Sequence, residues 1–317
     1  MQHTFRPLVR MAIAVAAVSL VAGATGAGAA AASGSNHRAP QVGHGHFGVK
    51  PIHPAVHVGS AASNTLSIHS SAKKGVVSPK PKVYLIFWGS QWSSDPHGAA
   101  PALQAFFSGL FGNVDTWGTI LNQYCEGVPV GTTNCGNKGK HIKHPTSSIL
   151  AGAWFDNAKP APASATAAQI AAEAVAGATH FGNTTQKPNL NAQYVVASAS
   201  GTHPDGFPNT GICGWHDITT SVDGNIAYTN LPYVADLGAG ACTTLHPAGI
   251  LDGYFSTETH EYGETATDFW PARGWLGGGS EIGDECVSLD AYLTLSTGTF
   301  DVQGLWSNDL NKCTTSE

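Results

Sequence analysis

The stretch His260-Glu261-Tyr262-Gly263-Glu264 brings together, within five positions, side chains that bind divalent cations and side chains that transfer protons. On an α-helix, residues i and i+4 lie on one face, one turn apart, so His260 and Glu264 would present an imidazole and a carboxylate together. Glu261 would be offset from His260 by about 100° around the helix. The spacing therefore predicts a helix face that can hold a cation.

Metal hydrolases with an H-E-x-x-H helix use the same spacing: two ligands four residues apart, followed by a downstream ligand, with the intervening glutamate as general base. By this pattern His260 and Glu264 are candidate ligands, and Glu261 is the candidate general base. The downstream stretch "GSEIGDEC" (279–286) supplies Glu281 as a third ligand and Asp284 as an alternative. We expect zinc at this site. A glutamate at position 264 in place of a histidine makes the ligand set harder and more anionic, which favours calcium or manganese, so these metals are the alternatives.

A structural interpretation competes with the metal site. The acidic residues could form a hydrogen-bonded helix face that packs on the loop around residue 280. Burying several carboxylates without a cation costs considerable free energy, so inward-facing acids would favour the metal interpretation.

Two further histidines lie in loops after a predicted central strand, in "GTHPDGF" and "CGWHD". His203 and His216 could line a cleft and bind substrate, and His216 is the preferred second imidazole near the site. The alternative is turn chemistry at His-Pro-Asp-Gly and packing beneath a disulfide. A G-x-S-x-G nucleophile elbow is absent from the sequence, which argues against a serine hydrolase.

Alternating strand and helix patterns must position these residues. Apolar runs predict strands at 81–92, 147–155 and 192–200, a strand leaving the sheet at 225–236, and short strands in 290–313. Periodic stretches predict helices at 98–114, at 115–125 with Asp115 as N-cap, at 164–181 with Ser164 as N-cap, and at 249–270. We expect an α/β fold, with α+β as the alternative: one zincin-like domain at 81–317 with a central mixed sheet, flanking helices and a loop-rich, disulfide-stapled C-terminal part.

The N-terminus predicts export. Arg6 and Arg10 precede an apolar core at 11–22 and then small residues, so residues 1–30 form a predicted signal peptide cleaved at about 27–32. Residues 31–80 carry six histidines among Gly, Ser and Pro, which predicts a flexible linker or propeptide. After cleavage we expect a secreted monomer without a membrane segment. The formal charge of −6 and 11% charged residues argue against nucleic acid as a partner.

Six cysteines follow the predicted signal peptide, and an even number in an exported chain indicates disulfides. Fifteen pairings are possible for six cysteines. We favour the sequential one because each bond then closes a local loop: Cys125–Cys135, Cys213–Cys242 and Cys286–Cys313.

The stretch "THEYGETATDFWPARGWLGGGSEIGDEC" resembles the H-E-x-x-E-x-x-[ST]-[DN] … W … E-I-x-D-x-C pattern of EXORDIUM-like, phosphate-induced plant extracellular proteins and their bacterial relatives. The resemblance extends to "VYLIFWG", "QYVVASASGTHPDGF" and "VQGLWSNDLNKC", roughly residues 82–313. The pattern falls on His260, Glu261, Glu264, Asp268, Trp275, Glu281, Asp284 and Cys286. It implies secretion and a metallopeptidase-like site for the bacterial relatives, and an association with cell walls and growth for the plant members.

The leading hypothesis is a secreted metal-dependent hydrolase, a peptidase that acts on a peptide or cell-wall polymer with Glu261 as general base. One alternative is a non-catalytic extracellular protein that uses the same cluster as a structural cation site. Another is a glycoside hydrolase with paired carboxylates, for which the separation of the two acids would be decisive.

Overall fold

A computed structural model describes residues 47–52, 65–278 and 280–317. The predicted signal peptide at 1–30 and most of the predicted linker lie outside the described residues. Among the described residues, no helix combines the length and the apolar character that a bilayer crossing requires.

A six-stranded mixed sheet forms the centre of the fold. Its strands, in spatial order, are β1 (Phe47–Pro51), β8 (Ile212–Ser221), β9 (Gly224–Leu231), β7 (Ala192–Ser198), β3 (Lys82–Trp88) and β6 (Leu150–Asp156). The pairs from β9 to β6 are parallel, whereas β8 runs antiparallel to both of its neighbours. The prediction of a central mixed sheet is therefore confirmed.

Helices cover both faces of this sheet. They are α1 (Ala99–Gly109), α2 (Ala167–His180), the single turn α3 (Gln186–Asn189) and α4 (Asp252–Thr267). Side chains alternate between the two faces of a strand, so Val83, Leu85 and Phe87 of β3 join the core with α1 and α4. Tyr84 and Ile86 join a second core with α2. The sheet thus separates α4 from α2.

Short strands complete the remaining regions. They are β2 (Ser67–Ile68), β4 (Cys125–Glu126), β5 (Lys140–His141), β10 (Trp275–Leu276), β11 (Asp290–Leu295), β12 (Gly298–Gln303), β13 (Leu305–Ser307) and β14 (Lys312–Thr314). The antiparallel pair β11–β12 packs with β12 along α4. It thereby brings distant residues of the C-terminal part against the helix that carries His260.

All three predicted disulfides are present, with Cα–Cα distances of 6.2 Å for Cys125–Cys135, 6.1 Å for Cys213–Cys242 and 5.5 Å for Cys286–Cys313. No described cysteine is free. The second bond joins β8 to the segment before α4, and the third fixes the loop that follows β10. Two of the bonds therefore constrain segments next to the candidate site.

Two described stretches of the predicted linker are ordered parts of the domain, so the flexible-linker prediction does not hold for them. Residues 47–51 form edge strand β1, and its Lys50 is fully buried. Between residues 65 and 80, Leu66, Ile68 and Val77 are fully buried in the core. These segments could not be predicted from their Gly/Ser/Pro-rich composition, because their few apolar side chains pack against residues that are distant in the sequence.

Several predicted element bounds also differ from the structure. The segment 115–125 forms a 3-10 helix at Gly118–Gln123 in place of the predicted α-helix, and β4 begins at its last residue, Cys125. Asp115 Oδ1 accepts a hydrogen bond from Gly118 N at 2.7 Å, before the 3-10 helix. The N-cap of α2 is Thr166, not Ser164, because Thr166 and Gln169 form a reciprocal capping box. Residues 224–231 lie within the sheet as β9 instead of leaving it.

Candidate metal centre

Helix α4 carries the central residues of the predicted site. His260, Glu261 and Glu264 are all fully buried, because the helix packs against β1, β8, β9 and β12. The i,i+4 spacing places His260 Nε2 3.2 Å from Glu264 Oε2, as the sequence pattern predicted. Buried threonines of this polar helix bond back to its own carbonyls, as Thr257 does to Gly253 O at 2.6 Å.

Strand β8 supplies the second imidazole. His216 Nδ1 lies 3.2 Å from Glu261 Oε2 and 3.4 Å from Glu264 Oε2. The other ring nitrogen, Nε2, lies 3.4 Å from Glu281 Oε2. His216 therefore lies against three carboxylates of the predicted metal cluster, and its role in substrate binding stays a prediction.

The loop after β10 closes the cluster with Glu281 and Asp284. Asp284 Oδ1 lies 3.7 Å from His260 Nε2, and the backbone N–H of Asp284 donates to Glu264 Oε1 at 3.0 Å. Gly283 is required here, since a Cβ atom would lie 2.8 Å from His260 Nδ1 and 2.9 Å from Glu264 Oε1. The loop backbone therefore approaches α4 too closely for a side chain at this position.

Gln303 of β12 orients His260 from the other side. Gln303 Oε1 lies 3.1 Å from His260 Nδ1, and its amide nitrogen donates to Gly283 O at 2.8 Å. With a proton on Nδ1, the Nε2 lone pair of His260 is directed at Glu264 and Asp284. An outer partner that fixes the tautomer in this way is a regular feature of metal-binding histidines.

Lys50 of β1 extends this network. Its ammonium donates to Gln303 Oε1 at 2.5 Å and lies 3.5 Å from Asp290 Oδ1. Burial lowers the pKa of Lys50, and the neighbouring Asp290 and Asp301 oppose the shift. From the sequence no role was assigned to Gln303, although it lies in "VQGLWSNDLNKC", or to Lys50, because 253 positions separate the two residues and neither spacing nor residue type indicates their contact.

Glu258 of α4 and Asp268, which directly follows this helix, border the cluster. Asp268 accepts from the backbone N–H groups of Ala272, Arg273 and Gly274, so it caps the turn after α4. Glu258 is fully buried, and neither of its carboxylate oxygens has a hydrogen-bond partner. Glu258 could have been identified from the sequence, because it lies three residues before Glu261 and therefore on a neighbouring face of the predicted helix.

Burial and charge strongly perturb the ionisation of the cluster. Burial raises the pKa of Glu261 to about 7, with His260 opposing the shift. For Glu264 the attraction of His260 and His216 outweighs burial and lowers the pKa to about 2. Burial lowers the pKa of His260, but Glu264 and Glu261 overcome it and raise the pKa to about 9. Burial also raises the pKa of Glu281 well above its usual range.

Several buried atoms of the cluster make no hydrogen bond: His260 Nε2, His216 Nε2, Glu261 Oε1, Glu264 Oε2 and both carboxylate oxygens of Glu281. Buried polar atoms are normally satisfied, so such a concentration requires an explanation. A cation bound between His260, Glu264 and Asp284 would satisfy the His260 Nε2 lone pair and Glu264 Oε2 together.

Two other groups do not belong to this site. His203 is exposed and precedes the 3-10 helix Pro204–Gly206, and its backbone N–H donates to Ala163 O. Cys125 and Cys135 lie near His141, but the cysteines form a disulfide and cannot act as thiolate ligands. A substrate-binding role for His203 remains a prediction.

Comparisons of this chain with protein-family models, with curated proteins and with solved structures found no match. The function therefore has to be argued from the side chains of the cluster themselves.

Proposed function

We propose that this protein is a secreted metal-dependent hydrolase, a peptidase in which Glu261 acts as general base. The observation that carries the proposal is the set of imidazoles and carboxylates that lie 3.2–3.7 Å from one another, in which the buried His260 Nε2 and Glu264 Oε2 face each other without a hydrogen bond. The three disulfides fit an exported protein.

The residues present fit a divalent cation. Ligand bonds of 2.0–2.2 Å in a tetrahedral site place neighbouring ligand atoms about 3.3–3.6 Å apart. Glu264 Oε2 and Asp284 Oδ1 lie 3.2 and 3.7 Å from His260 Nε2, close to this spacing. His260, Glu264 and Asp284 would therefore hold the ion. Asp284, the alternative in the sequence interpretation, fits better than Glu281, which faces His216.

A bound cation would act as a Lewis acid that polarises a carbonyl group. Glu261 follows His260 on α4, and its Oε2 is held 3.2 Å from His216 Nδ1. Its second oxygen, Oε1, has no hydrogen-bond partner and is available to accept a proton from a water molecule. Glu261 thus combines a fixed orientation with a free acceptor, as a general base requires.

The burial of the cluster favours one second candidate, a structural cation site in a non-catalytic extracellular protein. Among the three ligands, the side chains of His260 and Glu264 are fully buried and only that of Asp284, 28% exposed, reaches solvent. The same burial disfavours the glycoside hydrolase alternative, which needs two carboxylates that face an open groove.

The test compares Glu261→Gln with Glu258→Gln, a matched control on the same helix with an equally buried carboxyl group. Metal content, melting temperature and hydrolysis of a peptide library are measured for both and for the unmodified protein. We expect Glu261→Gln to keep its fold and the ion held by His260, Glu264 and Asp284 but to lose activity by about 10²–10⁴-fold, and Glu258→Gln to retain activity. Metal binding without hydrolysis in any of the proteins would support the structural site instead. Full activity in Glu261→Gln would exclude the proposed mechanism.

A further inference from the structure

The candidate cation ligands form two groups that share one residue. His260, Glu264 and Asp284 form the first, and His216, Glu261 and Glu264 form the second. Within each group the ligand atoms lie within 4.8 Å of one another. Glu264 Oε2 is common to both, 3.2 Å from His260 Nε2 and 3.4 Å from His216 Nδ1.

We infer that the cluster holds two divalent cations, bridged by the Glu264 carboxylate: one between His260, Glu264 and Asp284, and a second between His216, Glu261 and Glu264. The second ion rests on the proposed function for the first. In this arrangement Glu261 binds the second ion through Oε2, and its other oxygen, Oε1, stays available as the proton acceptor.

The surroundings of the two imidazoles support this assignment. In each ring, one nitrogen faces the shared Glu264 carboxylate and the other faces a polar group behind the ring. For His260 this group is Gln303 Oε1, 3.1 Å from Nδ1, an outer partner of the kind that fixes the tautomer presenting a lone pair to an ion. For His216 it is Glu281 Oε2, which lies 3.4 Å from Nε2 without a hydrogen bond. Two imidazoles from separate elements thus each direct one nitrogen at the carboxylate that the two ions would share.

Charge balance points the same way. Glu261, Glu264, Glu281 and Asp284 surround the two imidazoles, and all except Asp284 are at least nine-tenths buried. Three of them, Glu261, Glu264 and Asp284, belong to the two ligand groups. One divalent cation would leave one of these three carboxylate charges uncompensated in a site largely closed to water, so a second cation lowers the cost of burying them. Two-metal hydrolase sites hold their ions about 3.5–4 Å apart, a separation that one bridging carboxylate can span.

The experiment measures metal stoichiometry in the full-length secreted protein. Metal-free protein is titrated separately with Zn²⁺ and with Mn²⁺, bound ions are counted by mass spectrometry, and exchange coupling between Mn²⁺ ions is sought by electron paramagnetic resonance. We expect two ions per chain and a coupled Mn²⁺ pair. One ion per chain at saturation would overturn the second site while leaving the proposed function intact. No bound ion would overturn both.

Variants assign the ions to the two groups. His216→Ala should reduce the content to one ion, and Glu264→Ala should weaken both sites. His141→Ala is the control, since this imidazole contacts Asn122 O and belongs to neither of the two ligand groups, and it should keep two ions. His216→Gln provides a second variant if His216→Ala does not fold. Two ions retained in a folded His216 variant would overturn the assignment.

Discussion

Replacing Lys50 by methionine removes a buried ammonium group from an acidic network while preserving most of the side-chain volume. The Lys50 ammonium lies 3.5 Å from Asp290 Oδ1, and both side chains are completely buried. Removing one partner of a buried ion pair costs about 3–5 kcal/mol, because the other charge is left uncompensated. Asp290 retains donors from Thr244 N and Thr244 Oγ1 at 2.8 and 2.7 Å and from Ser256 Oγ.

These remaining donors place the expected loss at the lower end of that range, about 3 kcal/mol in the free energy of unfolding. For a domain of roughly 250 residues, each kcal/mol corresponds to about 2–4 °C in Tm, so the variant should melt about 6–12 °C lower. Lys140→Met is the matched control. Its ammonium lies 3.6 Å from Glu126 Oε1, but the lysine side chain is 53% exposed. Water screens this pair, so its loss should cost no more than about 1 kcal/mol.

The assay is thermal unfolding followed by circular dichroism, in the presence of a chelator so that metal binding does not contribute. Urea unfolding of the same samples provides the free energies. A Lys50→Met protein as stable as the unmodified protein would refute this prediction. The buried Lys50–Asp290 pair of strand β1 would then not stabilise the fold. Equal destabilisation by both substitutions would show that burial is not the source of the difference.

Three further results are expected. Gln303→Leu should lower metal affinity about 10–100-fold through the loss of the outer partner of His260, and isothermal titration calorimetry would measure it; unchanged affinity would contradict that role. Burial and the neighbouring Asp156 raise the pKa of Glu173 to about 8. Between about pH 4.5 and 8 the folded state therefore holds a proton that the unfolded state has lost, so the free energy of unfolding falls as pH rises through this range. Glu173→Gln should flatten this part of the stability–pH curve, and an unchanged slope would exclude Glu173 as its source. Replacing Cys213 and Cys242 together by serine should cost about 2–5 kcal/mol, measured by urea unfolding with the unreduced protein as reference, and a loss below 1 kcal/mol would contradict a constraining role for this bond.

Local features of the fold could be predicted from the sequence because their causes are local. The spacing of His260 and Glu264 on α4 follows from helix geometry alone, and the observed 3.2 Å contact agrees with it. The strands at 82–88 and 192–198 follow from continuous apolar runs, and the three disulfides each close a loop of 29 positions or fewer. In these cases the interacting residues are close neighbours along the chain.

Composition gave wrong predictions for strands that form only by pairing with a segment distant in the sequence. Strand β8 begins directly after a Gly- and Pro-rich turn, so its first residues were interpreted as loop, and His216 as a candidate substrate contact. Edge strand β1 has only five residues and forms because β8 provides its hydrogen-bonding partner. Neither strand has a strong periodic pattern of its own, so the pairing between them could not be inferred from either segment.

By itself the sequence determined which residue types could bind a cation and that α4 would present two of them together. Only the tertiary structure decided that β8 brings His216 to Glu264 and that the loop at 281–284 contacts the helix next to His260. It also decided that Gln303 contacts His260 and that Lys50 donates to Gln303. The physical reason is that these contacts join segments from 20 to 253 positions apart. Residue spacing indicated Glu281, Asp284 and His216 as candidates but could not determine which atoms meet, because sheet order and loop packing bring these side chains together.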